Sequence, residues 1–556
     1  MSLATFKNLP MKALQLTLFT LCLITALPLN AVYMNRFTTT NNGGIAFTGN
    51  SLGLSKQNNF NQPGTADSDG AFITTDTTQI VGNYPLSESP QAGTTVTWQD
   101  NSASAYLDLP VGSTVLYAEL VWAGSYGFGG QIPYPGNPFI PDVTPVSLTT
   151  PLNTTHSIAP DPTTSQIAVT PGFVNMGNYV RSQDVTSIIE SSGGGRYIVG
   201  GVPGTIDSAD NTHNAAGWTL AVVYSNPTMV TNNMTIFVGC EQASSSTPPA
   251  EVSGFCTPSS GVKSSMLFAS AIEGDYAKSG EQLRFGPTVA LTAGDSVSGT
   301  NNPVNNFFCS QINTLLPLTF NSQLGKYMSV CSALLDTRGS YGAKNFPTSG
   351  VFPENFGRQG FDITAVNVSS SISYNQNTAY AQGTTAADDC TLIALGIQIQ
   401  IDAPILKTSK KVNGLDSVFA AVGDTVTFSG TVENVGTSDA LSSVLIDILQ
   451  SGLSYVPGTF VINSSPQPDP DLANGYLLGD IIVNDMVTFS FDASIDSLPT
   501  NSDNYLNHLI IDYNFVPYQG QVTPLQATSS NTAINFLPVA KPDSGATFDV
   551  SLHYTH

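Results

Sequence analysis

Charge is what this sequence has least of. Asp, Glu, Lys and Arg make up 10% of its 556 residues, against about 25% in an average soluble protein. Basic residues are the scarcer sign: 17 Lys and Arg face 40 Asp and Glu, for a net charge of −23. That field repels phosphate, so nucleic acid is excluded as a partner and an anionic bilayer surface is disfavoured. Histidine is scarce as well. The five, His156, His213, His508, His553 and His556, include no HExxH, and neither a zinc-hydrolase site nor a nucleophile elbow is expected. Long apolar runs are missing after the first thirty residues, so no transmembrane helix is expected in the rest of the chain.

Thr, Ser, Asn and Gln fill the polar positions instead, among 49 Gly and 35 Pro. These are residues of strands and turns, and they predict an all-β protein. The length exceeds what one core can organise, about 250–300 residues, so more than one domain is expected.

The start, MSLATFKNLPMKALQLTLFTLCLITALPLNA, joins a basic stretch ending at Lys12 to an apolar run from Ala13 to Leu27, with Pro28 and Ala31 behind it. That is the order of a secretory signal, residues 1–31, with the mature chain extracytoplasmic, secreted or on a cell surface. Five cysteines remain after Cys22. In an oxidising compartment the short loops make Cys240 with Cys256, and Cys309 with Cys331, the expected disulfides, with Cys390 left over.

Strands are legible directly. In VTFSFDASI, Val487, Phe489, Phe491, Ala493 and Ile495 alternate with polar residues, as in a sheet with one wet face. TVTFSGTVEN repeats the pattern through Val426, Phe428 and Val432. STVLYAELVW, GWTLAVVYS and MTIFVG are apolar at both parities, as in strands covered on each side. DVTSIIESS is a short helix with Asp184 as its cap and SGGG as its exit. A boundary falls at Asp402-Ala403-Pro404. The expected architecture is a large N-terminal β-sandwich region, jelly-roll-like, over 32–402 as one unit or two subdomains, an immunoglobulin-like β-sandwich over 403–537, and a tail or partial strand over 538–556.

The second segment carries, in order, ILKTSKKVNG, AVGDTVTFSGTVENVG, SSVLIDILQSGLSYVPGTFVIN, LLGDIIVNDMVTFSFDASI and SSNTAIN. It resembles the "conserved repeat domain" of bacterial surface proteins, a family catalogued as a domain of unknown function. Upstream, FTTTNNGGIAFTGNSLGLSK, YLDLPVGSTVLYAELVWAGSY, YVRSQDVTSIIESSGGGRYIVGGVPGT and NAAGWTLAVVYSNP are similar to the region that precedes such repeats. The resemblance implies a surface or extracellular β-sandwich protein of structural or adhesion type, without an established activity. Other surface proteins or glycans are the partners it leaves open.

Three groups of residues carry candidate chemistry. Lys410 on a first strand, Asp447 after the apolar VLI and Asn531 in the terminal SSNT form a candidate set for an intramolecular isopeptide bond. Burial is what makes such a bond feasible, because it favours the neutral amine and the protonated carboxyl. Tyr126, Phe128 and Tyr134 lie in the aromatic-rich SYGFGGQIPYPGNPF and are candidate exposed rings for a sugar or an apolar contact. Asp67 and Asp69 in ADSDGAF, with Asp207 and Asp210 in GTIDSADNTHN, are oxygen-rich turns of the kind calcium favours. Asx-rich turns are common in any β protein and neither segment completes a calcium loop, so turn chemistry outweighs a metal and no cofactor is expected. The alternative function is a carbohydrate-binding module using those rings or turns. A glycoside hydrolase would need two carboxylates a few ångströms apart, which sequence does not reveal, and no enzyme is expected.

Overall fold

In the computed structural model the described residues run from 32 to 536, apart from 53–96, 128–131, 133–138, 171, 173–174, 207–212, 259–262, 275–278, 316–317, 323–325, 330–334, 337–359, 387–388, 501–503 and 519–520. The described chain is all-β, with short helices at Ile140–Val143 and Thr186–Ser192. No described helix is long and apolar enough to cross a membrane.

A nine-stranded sheet organises the N-terminal region. Its first strand, Tyr33–Ser51, belongs to both halves: Tyr33 to Asn42 pair with Thr231–Gln242, and Gly43 to Ser51 pair with Ala216–Ser225. At Asn42–Gly43 the chain leaves one half and enters the other, so the two halves stack face to face. Cross-layer hydrogen bonds mark the stacking, Thr219 to Ser270 at 2.7 Å and Asn178 to Thr391 at 3.1 Å. Between the halves lies a core that includes Phe47, Val121, Val223, Ile236, Phe268 and Ile363.

Further sheets cover the outer faces. One, built from Ser102–Leu107, Val146–Thr149, Thr155–Ile158 and Gly195–Gly200, packs Ala105, Leu148 and Tyr197 on Trp122, Trp218 and Leu220. The other, Ala250–Ser253, Gln282–Gly286 and Thr378–Thr384, packs Val252, Phe285 and Ala379 on Phe237, Leu267 and Leu395. Four layers with three cores explain why GWTLAVVYS is apolar at both parities. Trp218, Leu220 and Val222 face one core, while Ala221 and Val223 face the next, as strand alternation requires.

Thr231, Ser265 and Gln400 mark one end of the stacked halves, and there the chain passes through Ile401 to Leu406 into the second domain. The junction is bonded, with Val435 N donating to Ile405 O at 2.9 Å and Thr437 N to Ala403 O at 3.0 Å. Phe515 of the second domain joins the core that holds Ile401 and Ala403. Gly217, Tyr126, Gln242 and Thr391 mark the opposite end.

The C-terminal domain is a sandwich around its own core of Val426, Phe428, Phe491, Ile495 and Ile511. Leu406–Val412 pairs antiparallel with Thr425–Asn434, and Ser417–Phe419 then crosses to run parallel to the last strand, Thr532–Asn535. A first strand divided between two sheets, with its second part parallel to the last strand, is an immunoglobulin-like arrangement.

Candidate functional site

The most chemically unusual place among the described residues lies in the C-terminal core. Leu406, Lys410 and Val412 are buried on the inward face of one strand, so the two-residue period carries Lys410 into the sandwich. Its side chain is 0% exposed, as is that of Asp447. Asp447 follows the strand Ala440–Ile446 and is tied by its N–H to Leu472 O at 2.9 Å.

Lys410 Nζ hydrogen-bonds to Asp447 Oδ2 and also to Asn507 Oδ1. Asn507 ends the strand Asn504–Asn507, where Tyr505 and Asn507 take the inward positions. Its carboxamide is anchored: Nδ2 donates to Ile448 O at 3.1 Å, and its backbone oxygen accepts from Thr532 Oγ1 at 3.1 Å. Two rings wall the amine, Phe428 with its centroid 4.6 Å from Nζ and Phe491 at 5.6 Å.

Electrostatics follow from this burial. Loss of solvent pulls Lys410 below the ordinary lysine range, opposed by the adjacent Asp447. Burial pushes Asp447 above the usual carboxylate range, opposed first by Lys410 and also by Asn507. Both shifts favour the uncharged forms. Asp447 Oδ1 is buried and makes no hydrogen bond of regular geometry.

The expected set is therefore corrected at one member. Lys410 and Asp447 meet, but Asn531 is exposed in the turn before the last strand. It precedes Thr532, the register partner of Asn507, so the strand assignment was one neighbour off. The signal for Asn507 was present in NYLN, whose alternation puts Tyr505 and Asn507 on one face.

The other candidates fare differently. Tyr126 is no exposed ring. It closes the long strand Thr114–Tyr126 at 0% exposure and donates to Ala168 O at 3.2 Å. Phe128, Tyr134, Asp67, Asp69, Asp207 and Asp210 lie outside the described residues, and no cluster of metal-ligating side chains occurs among those described.

Cys240 and Cys256 are separate buried thiols and not a disulfide. The Cys256 amide is held by Asn233 Oδ1 at 2.9 Å, and Asn233 lies on the same strand as Cys240, about 20 Å away at the rise of a strand. A disulfide needs its Cα atoms within about 7 Å. Cys309 is also a buried free thiol, with Sγ 3.4 Å from Asn301 O, while Cys331 lies outside the described residues. Cys390 is buried.

One serine motif is present without the matching geometry. GNSLG, Gly49 to Gly53, does match G-x-S-x-G. Ser51, however, ends a strand at 1% exposure, whereas a nucleophile elbow presents its serine on an exposed strand-to-helix turn.

Several buried carboxylates have donors of their own. Glu119 is bound by Arg36 at 3.2 Å and by the Tyr117 hydroxyl. Glu273, which holds a left-handed φ of 74°, receives Asn178 Nδ2 at 2.8 Å and lies 3.1 Å from His213 Nδ1. Sequence reading missed both groups, because Arg36 is far from Glu119 in the chain, as Asn178 and His213 are from Glu273.

No family model matches this chain, and no curated protein matches it. Among solved structures it is similar to the N-terminal domain of a Streptococcus gordonii adhesin, at 12% identity over 78% of this chain and 93% of that one, with a TM-score of 0.21. It is also similar to the CARDB domain of a Pyrococcus furiosus protein, at 9% identity over 24% of this chain and 98% of that one, with a TM-score of 0.14. At such values neither similarity carries a functional argument.

Proposed function

We propose that this is an exported bacterial surface protein of structural or adhesion type, in which the C-terminal sandwich holds the N-terminal body and the body makes the contact. The observation that carries this reading is the polarity of the N-terminal region. Its junction with the second domain is at the Gln400 end of the stacked sheets, and Tyr126, Ser51 and His213 sit at the other. The contact is assigned to that second end, away from the junction. Loops at one end of a rigid sandwich are a common place for recognition.

Two features of the sequence support the reading, the leader-like residues 1–31 and a surface made polar by Thr, Ser and Asn with few charges. Antibody labelling of intact cells tests it. Surface labelling that is lost on protease shaving is expected, and retention in the cytoplasmic fraction would overturn it. A glycan array read with and without chelator decides whether the contact is to sugar.

A further inference from the structure

We propose that Lys410 and Asn507 become joined by an intramolecular isopeptide bond, formed by the folded C-terminal sandwich itself with Asp447 as the catalytic carboxyl group. This inference stands apart from the surface role, since it concerns a covalent bond inside one core.

The reaction is an acyl transfer that needs no co-reactant. The lone pair of Lys410 Nζ attacks Asn507 Cγ, and a new C–N bond forms while the amide π pair moves onto the oxygen. Nζ passes one proton to Asp447, and Asp447 delivers one to Asn507 Nδ2. The Cγ–Nδ2 bond then breaks, the oxygen pair restores the carbonyl, and ammonia leaves. Lys410 keeps one proton on its nitrogen, Asp447 ends as it began, and nothing is oxidised or reduced.

Each requirement of that sequence is met by a named feature. The amine must be held against the carboxamide, which converts a slow bimolecular aminolysis into a step within one site. Lys410 Nζ is in contact with the Asn507 amide, and Ile448 O and Thr532 Oγ1 fix the asparagine. A lysine must be uncharged to act as a nucleophile. The walls of Phe428 and Phe491 and the 0% exposure of the side chain remove the water that would stabilise its charge. Proton transfer needs a group that touches both partners of the exchange. Asp447 is bonded to the amine through Oδ2 and stands beside the asparagine that hydrogen-bonds to the next residue's carbonyl.

The rival reading is a plain buried ion pair. Such a pair pays a desolvation cost that its attraction often fails to return, and it gives no reason for a carboxamide on the same amine. Position argues the same way. Lys410 is on the first strand of the domain and Asn507 stands 97 residues later, so a bond here fastens the opening of the sandwich to its closing strands.

Intact-mass spectrometry of the full recombinant chain tests the proposal, with tandem spectrometry of its digest. The expected wild-type mass is lower than the sequence mass by one ammonia, and the digest contains a branched peptide linking Lys410 to Asn507. Lys410→Ala and Asn507→Ala should both return to their full sequence masses. Asp447→Ala should do so too, and if it still loses ammonia the role given to Asp447 is wrong. Because the decisive reading is made on the wild type, poor folding of a variant does not rescue the idea: a wild-type chain at full sequence mass, without the branched peptide, overturns it. Surface labelling is unaffected by either outcome, so the two proposals fail separately.

Discussion

Lys410 and Lys411 are adjacent on one strand and face opposite ways. Lys410 is sealed in the core against Asp447 and Asn507, whereas Lys411 reaches Asp416 at 2.6 Å with its side chain 41% exposed. The two pairs therefore differ in energetic weight. Removing Lys411 should cost under about 1 kcal/mol, as for surface ion pairs. Lys410→Ala leaves the Asp447 carboxyl buried without its partner and also removes the proposed bond to Asn507, so it should cost at least about 3–5 kcal/mol. Denaturant titration that follows the C-terminal transition checks this. The double variant Lys410→Met with Asp447→Leu should recover part of the loss, because it removes the orphaned group.

A bond between Lys410 and Asn507 would also redirect force. Pulled from its two ends, the domain would transmit load through the cross-link, and the chain between those residues would stay out of the load path. The separation of 97 residues corresponds to about 330 Å of extended chain. Single-molecule stretching should therefore show an unfolding increment shorter in the wild type than in Lys410→Ala by roughly that length. Equal increments would mean that the segment is not bypassed.

Much of this fold was legible because strand period is short and burial is one-sided or two-sided. Val487, Phe489, Phe491, Ala493 and Ile495 were assigned inward from alternation alone, and all are buried. Trp122 in STVLYAELVW and Trp218 in GWTLAVVYS, strands expected to be covered on each side, are fully buried. The short helix at Thr186–Ser192 was anticipated with Asp184 at its start: Asp184 Oδ1 accepts the Thr186 N–H at 2.8 Å, although the cap position itself is Val185. Gly193 closes the helix with φ of 68°, a left-handed value that glycine adopts without strain. Long-range partnership was not legible. Alternation says that Lys410 points inward but not which asparagine meets it, since that depends on strand order. Loop length likewise suggested Cys240 with Cys256, and register along one strand separates them.

That separation makes a chemical prediction. Burial pushes both Cys240 and Cys256 thiols up to about 12, and a thiol is reactive only as its thiolate. Neither should be alkylated in the native protein at neutral pH, and both should label once it is unfolded without reductant. Peptide mapping after iodoacetamide treatment reads this directly. A disulfide-linked peptide joining them would contradict the register.

The N-terminal body should show a pH dependence centred on Glu241. It is 2% exposed, beside the Tyr33 hydroxyl, with Oε1 accepting from Gly383 N at 2.6 Å. Burial pushes its carboxyl up to about 7, opposed by the hydrogen bond from Gly383. A carboxyl raised in the folded state binds its proton more tightly there than in the unfolded chain. Its stabilising contribution is therefore complete below the unfolded value of 4.5 and is lost as pH rises through about 7. The span corresponds to on the order of 3 kcal/mol. Melting temperatures of the wild type should fall from pH 4.5 to pH 7.5 relative to Glu241→Gln, which keeps the shape and cannot ionise. Parallel curves for the two proteins would show that Glu241 is charged in the folded state across that range. Its burial would then be offset by the groups that favour the charged form, Gly383 N and the Tyr33 hydroxyl.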